Sequence, residues 1–272
     1  MDRSSDSVVG LFSRAAPTYD TVGPRHFSYF ADRLVEFVGI DAGSDVLDVA
    51  TGAGAVLFAA AERVGFDGRV VGIDLTPAML ARAAAEVERR LLGNVELRLM
   101  DGERLRFAAA SFDTVLCSFG LQAFVDPDAA LTGFGRVLRA GGRLGIAFPF
   151  GWPFDCDPRW RWQADLLRSF GCKLEADDAA LHPAEVPAAL EEAGFVDVET
   201  REVTCPLEFR DAEEWWSWSW SHGIRSLFEQ VAQERLPALR RRLFDGLESC
   251  RGDDGRIHGA IAALLARATS PS

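Results

Sequence analysis

Lysine is nearly absent from this 272-residue sequence: Lys173 is the only one, and 29 Lys and Arg against 41 Asp and Glu leave a formal net charge of −12. Nucleic-acid binding depends on clustered Lys and Arg, so a nucleic-acid partner is not expected. The one basic cluster, Arg240-Arg241-Arg242, is explained by a solvated helix face. No uninterrupted apolar run approaches about 18 residues, which argues against a membrane-spanning helix. The start, Met1 to Asp6, is polar and acidic where a secretory signal would be basic and then apolar, and a cytoplasmic location without membrane attachment is the expectation. The five cysteines, Cys117, Cys156, Cys172, Cys205 and Cys250, form no C-x-x-C pair and have no neighbouring histidine cluster. Neither a disulfide framework nor a metal site is indicated. What the chain does have is 48% hydrophobic residues, enough for one large domain or one domain with a substantial insertion.

The strongest local pattern is V-L-D-V-A-T-G-A-G at Val46 to Gly54, followed by G-I-D at Gly72 to Asp74. Val46, Leu47 and Val49 predict a short buried strand, the glycines a tight turn, and Ala55 to Val64 a helix. Asp74 ends the next strand, Arg69 to Asp74, where a carboxylate can accept hydrogen bonds from both ribose hydroxyls. The loop does not suit NAD, because Leu57 occupies the position where a dinucleotide fingerprint needs a small residue. A triphosphate is disfavoured too, since no lysine lies near the loop. Asp48 would repel a pyrophosphate but attract a cation. An adenosine cofactor with positive charge and no phosphate fits, and S-adenosylmethionine meets that description.

With this loop, later segments form an ordered set. They are the Asp101-Gly102 pair after strand Val95 to Met100, the strand end Cys117-Ser118-Phe119-Gly120, and the run Arg136 to Leu144 with its Gly141-Gly142 turn. The set resembles the class I S-adenosylmethionine-dependent methyltransferases, in particular the branch that includes the ubiquinone/menaquinone-biosynthesis C-methyltransferases, over roughly Leu11 to Val203. The resemblance implies a Rossmann-like, doubly wound, seven-stranded, mostly parallel sheet, with an N-terminal helical cover and a helical lid inserted before the last strand. Its expected divisions are residues 1–40 for the cover, 41–209 for the cofactor-binding core, 210–254 for the lid and 255–272 for the final strand and tail.

Carried onto this sequence, the resemblance places Asp48, Ala50, Thr51, Gly52 and Gly54 around the methionyl end of the cofactor and Asp74 on the ribose. Leu75 and Met79 would lie near the adenine, Asp101 with Gly102 at its amino group, and Ser118 and Phe119 between cofactor and substrate. Tyr19, in Leu11 to Asp20, would touch both. Ala50 stands where the family has glycine, and one added methyl is expected to be mild. In Gly255 to Ala268, Ile257, Ile261, Leu264 and Leu265 follow helical spacing, whereas the resemblance implies a strand; the strand is the expectation.

Alternating strands and helices from Arg69 to about Phe148 fit βαβ units. Pro77 and Pro127 sit at helix starts, with Thr76 and Asp126 as N-caps. Helices are expected over Pro77–Leu92, Pro127–Arg139, Trp160–Phe170 and Pro183–Ala193, a loop over Phe150–Asp157, and a sixth strand over Val196–Val203.

In the run Trp215 to His222, helical spacing puts Trp215, Trp218 and His222 on one face and Trp216 and Trp220 on another. One face either lines an apolar substrate pocket or packs in the core. Substrate contacts are expected from Tyr29, Phe150, Trp215, Trp218 and His222. His222 or His26 could serve as base for an oxygen or nitrogen acceptor, and Glu175 could remove a proton after attack by carbon. The expected activity is methyl transfer to carbon or oxygen of a largely apolar small molecule in natural-product biosynthesis, by a monomer or homodimer. The alternative is a cyclase that keeps the cofactor fold without transferring methyl.

Overall fold

The computed structural model describes residues 5–174 and 181–271. Two helices come first, α1 (Ser5–Ala15) and α2 (His26–Val38). Alternation then begins with β1 (Asp45–Val49), α3 (Ala55–Val64), β2 (Arg69–Asp74), α4 (Pro77–Arg90), β3 (Val95–Leu99), β4 (Phe112–Ser118), α5 (Pro127–Val137) and β5 (Leu138–Pro149). Next come α6 (Pro153–Cys156), α7 (Trp162–Ser169), α8 (Val186–Glu192) and β6 (Val196–Phe209). Finally α9 (Ala212–Trp220), α10 (Arg225–Phe228) and α11 (Leu236–Leu247) precede β7 (Ile257–Thr269).

The seven strands form one sheet in the order β3-β2-β1-β4-β5-β7-β6, parallel except for β7, which is antiparallel to both neighbours. The inner strands of a parallel sheet are buried on both faces, and β1, β2 and β4 are, whereas the edge strands β3 and β6 are largely half-buried or exposed. Leu47, Val71, Ile73 and Val115 face Leu131 and Phe134 of α5 and Leu190 of α8. On the other face, Val46, Val70 and Leu116 meet Leu34 and Val38 of α2 and Leu57 and Ala61 of α3. A third apolar cluster joins Trp160, Leu166, Trp215, Trp218, Phe228, Leu239 and Leu243 to Phe209, Ile257 and Ile261 of the outer strands. Because β1 pairs with both β2 and β4, the strand order reverses there, and a crevice opens at the carboxyl ends of those three strands.

The closing segment is a strand. In β7 the residues alternate inward at Ile257, Gly259, Ile261 and Ala263, and then Leu264, Leu265 and Ala266 are all buried because both faces are covered there. A four-residue step is even, so it satisfies a strand period as well as a helical one. β6 extends past the expected Val203 through Pro206 to Phe209; it is the edge strand, where a missing N–H is tolerated. The expected helix to Arg139 ends at Val137, since Leu138 is extended and pairs with Phe112. The expected loop Phe150–Asp157 contains the one-turn helix α6. Asp126 caps α5 by accepting from the Ala129 amide at 2.9 Å. Thr76 makes no side-chain cap, and its own amide is instead held by Asp74.

Candidate cofactor and acceptor site

The chain leaves β1 at Asp48-Val49 and turns through residues 50–54 into α3. The Thr51 amide donates to the Ile73 carbonyl at 2.9 Å, and the Gly54 amide to the Thr51 carbonyl at 2.9 Å, which pins the loop against β2. Asp48 is buried, and its Oδ2 accepts from Thr51 Oγ1 at 2.5 Å. Asp74 accepts the Gly52 amide on Oδ2 and the Thr76 amide on Oδ1, each at 2.8 Å. This carboxylate therefore ties two loops together, and with about four lone-pair sites it retains capacity for ribose hydroxyls. Burial pushes Asp48 up to about 7, with Thr51 opposing the rise and the Asp74 charge adding to it. Burial also raises Asp74, against the amides it accepts. The Asp74 charge that helps to raise Asp48 is a repulsion between two carboxylates, which a cationic ligand beside them would relieve.

Leu57, which argues against a dinucleotide, packs fully buried because Gly72 faces it; a Cβ on Gly72 would lie 2.8 Å from Leu57 Cδ1. The Ala50 exchange is not mild as expected. Ala50 is left-handed with φ +57°, a region alanine enters at a cost of about 1–2 kcal/mol. Its methyl faces Gly120, where an added Cβ would lie only 2.6 Å away. Room for Ala50 thus depends on a glycine seventy residues downstream in sequence.

Two cavities meet at this loop. The smaller, about 100 Å³, is lined by Leu75, Met79, Asp101, Gly102, Phe119 and Phe124, together with Asp74. The larger, about 790 Å³, is a trough running along α3 between α2 and α4, with Asp48 and Thr51 in its wall. Tyr19, Ala50, Gly52 and Ser118 line both and so form the neck between them. Gly54 lines neither; it caps α3 with φ +95°. Around the neck the rings of Phe12, Tyr19, Phe27 and Phe119 form a chain: Tyr19 stacks on Phe27 at 4.8 Å, Phe12 meets Tyr19 edge-on at 6.1 Å, and Phe27 meets Phe119 edge-on at 5.5 Å. Burial, with Asp20 and Asp74 nearby, holds the Tyr19 phenol far above its ordinary pKa, so it stays protonated.

The expected bases lie behind this aromatic wall. His26 and His222 face each other at 5.0 Å, and His222 is 6.1 Å from the Phe27 ring. Burial pulls His26 down to about 3 and His222 well below its usual value, the latter also through its charged-form repulsion with His26. Both are neutral and very weak bases at pH 7, which is not what a general base requires. Neither lines the two cavities. Glu175 lies outside the described residues.

The aromatic substrate candidates are placed away from the cavities as well. Trp215 is 2% exposed and sits edge-on to Trp160 at 6.3 Å and beside Phe228 at 6.4 Å, inside the third cluster. Trp218 donates from Nε1 to the Pro24 carbonyl at 3.2 Å and packs on His222 at 4.3 Å, fastening α9 to the turn before α2. Tyr29 donates to the Thr204 carbonyl at 2.9 Å beneath the Arg33 guanidinium, and Phe150 packs against the α5 side of the sheet. These five positions, His222 included, build the scaffold in this conformation. Asp20, Arg25, Phe27 and Ser28 do line the trough and were not anticipated. The polar step Arg25, Ser28, Asp32 along one face of α2 is the signal that could have shown them.

The family description "Methyltransferase domain" matches residues 40–158. The chain is 39% identical to nocamycin O-methyltransferase of Saccharothrix syringae over 253 residues, 86% of this chain and 88% of that one. This chain belongs to the S-adenosylmethionine-dependent methyltransferases. Aklanonic acid methyltransferase DauC of Streptomyces sp. strain C5 is 39% identical over 142 residues, 52% of this chain and 64% of that relative. The YcgJ protein of Bacillus subtilis shares the fold, with a TM-score of 0.59 at 18% identity, covering 90% of this chain and 99% of that one.

The residues present fit the methyltransferase cofactor. Buried carboxylates at Asp48 and Asp20 suit its positive charges, Asp74 suits the ribose, and Leu75, Met79 and Phe124 offer an apolar slot beside Asp101. Among the described residues no helix is long and apolar enough to cross a membrane, and no group of three or more His, Cys, Asp or Glu is placed to hold a metal.

Proposed function

We propose that the enzyme methylates an acidic oxygen, a carboxyl or an enolised carbonyl, on a largely apolar small molecule of natural-product type. The carrying observation is that the neck phenol, Tyr19, and the two histidines behind the aromatic wall, His26 and His222, are all held in the neutral form with little basicity. An acceptor that arrives as its own anion needs no proton removed at this site. S-adenosylmethionine, when bound, supplies an electrophilic methyl on a sulfonium. The chain's part is to hold donor and acceptor in line and dry: Asp74, Asp48 and the glycine loop fix the donor, and Tyr19, Phe27 and Phe119 form a water-excluding wall. Two relatives, one named as an O-methyltransferase and one as acting on an acid, support the acceptor class. In this reading residues 1–40 and the helices within 210–254 close the acceptor side of a core formed by 41–209 and 255–272.

Methyl-labelled cofactor and a panel of apolar acids, each paired with its neutral amide, test the reading. The acids gain one O-methyl group and the amides none, with rates that track the ionised fraction of the acceptor. Label on carbon or nitrogen, or a product of unchanged mass as cyclisation would give, refutes it.

A further inference from the structure

Asp20 is the odd residue of the trough. Its side chain is only 7% exposed, yet it lines the cavity. Oδ2 accepts from Ser28 Oγ at 3.1 Å and faces Arg25 Nε at 3.7 Å, while Oδ1 is buried and has no hydrogen-bond partner among the described residues. The backbone at Asp20 is left-handed, φ +52°, one of the few non-glycine residues so placed. A buried carboxylate oxygen left unpaired in a strained turn beside a ligand cavity marks a contact completed by a ligand. Arg25 is 64% exposed, lines the same trough and makes its one ion pair among the described residues with Asp20.

We propose that Asp20 and Arg25 form a clamp for a zwitterion: Asp20 Oδ1 takes the α-ammonium of the cofactor's amino-acid end, and the Arg25 guanidinium takes its α-carboxylate. A carboxylate and a guanidinium side by side present the charge complement of an α-amino acid. Asp48 lies in the wall of the same trough, beside the glycine loop, and adds a second carboxylate on the ammonium side, while Arg82, Arg89 and Arg90 line the trough along α4. The clamp comes from the turn between α1 and α2, so the cover grips the donor directly and cofactor binding orders the wall against which the acceptor packs. It rests on the cofactor assignment and is independent of the acceptor chosen above.

Calorimetry on the full chain with three ligands tests it. S-adenosylhomocysteine carries both charges, its decarboxylated analogue only the amine, and 5′-methylthioadenosine neither. Asp20→Asn, which keeps an αL-tolerant residue of the same size, weakens S-adenosylhomocysteine and the decarboxylated analogue roughly 10- to 100-fold, the range for one charge-assisted hydrogen bond, and leaves 5′-methylthioadenosine unchanged. Arg25→Gln weakens S-adenosylhomocysteine alone. Unchanged binding of 5′-methylthioadenosine also certifies that each variant is folded. Equal weakening of all three ligands, or no change for S-adenosylhomocysteine in either variant, overturns the clamp. Failure of the unmutated protein to bind any of the three would instead overturn the cofactor assignment.

Discussion

The glycine loop and the tryptophan helix treat polar atoms in opposite ways. At the loop, Asp48, Thr51, Gly52, Asp74 and Thr76 satisfy one another over separations of 2 to 22 residues. Around α9, Trp215 Nε1, Ser219 Oγ, His222 Nε2 and His26 Nδ1 are buried without partners among the described residues. The loop is a polar machine whose parts are prepaid in hydrogen bonds, whereas the helix is an apolar anchor that tolerates polar atoms for the sake of ring volume. It follows that the loop side governs ligand affinity and the tryptophan side governs stability.

The largest effect expected from that division is on stability. Trp215→Ala should cost about 3–5 kcal/mol, as for other buried aromatic truncations, read from denaturant unfolding. Trp215→Phe keeps the packing and removes the unpaired Nε1, so most of the stability returns. If the Phe variant instead raised KM for the acceptor at unchanged stability, Trp215 would belong to the substrate wall and the division would fail.

Next in size, Asp74→Ala should lower S-adenosylhomocysteine affinity roughly 100-fold, since it strips the acceptor from the Gly52 and Thr76 amides as well as from the ligand. Its unfolding midpoint should move much less than that of Trp215→Ala. The reverse ranking would show that the loop is chiefly a structural knot.

The same division explains what was legible in the sequence. Asp48, Asp74 and Asp101 stand at strand ends, and a strand end with its following turn is a local pattern. The placement of β7 was readable only with the resemblance, because Ile257 and Ile261 serve either period. The Ala50–Gly120 fit, the Trp218 bond to Pro24 and the place of Asp20 against the glycine loop depend on segments brought together by the fold. Tryptophan spacing gave the two faces of α9, yet spacing carries no information about which face meets a cavity and which meets Trp160.

A third expectation is a pH effect confined to the loop side. Asp48 titrates at about 7 in the ligand-free fold, and a cationic ligand prefers its anion. Affinity for S-adenosylmethionine should therefore fall as pH drops below about 7, by at most about tenfold per unit, with proton uptake by the free enzyme as the cause. Asp48→Asn should flatten the profile. The contribution to stability has the opposite sense: between the ordinary value of 3.8 and about 7 the folded state holds a proton that the unfolded chain has lost, so this group makes folding weaker as pH rises through that window. Calorimetry in buffers of different ionisation enthalpy separates the two.

The smallest catalytic effect is expected at the histidine pair, where the notion of a general base is most directly exposed to failure. Removing a true base costs about 10²- to 10⁴-fold, whereas His26→Phe with His222→Phe should change kcat less than about threefold at neutral pH if both rings only fill space. Stability gives an independent reading. Because burial lowers both imidazoles in the fold, the unfolded chain binds more protons below the ordinary 6.5, and the native protein loses stability as pH falls through that value. The double variant should lose less on acidification. A kcat collapse without this gain in acid tolerance would mean that at least one ring reaches the reacting oxygen after the aromatic wall has moved, and the tryptophan side would then be part of the chemistry.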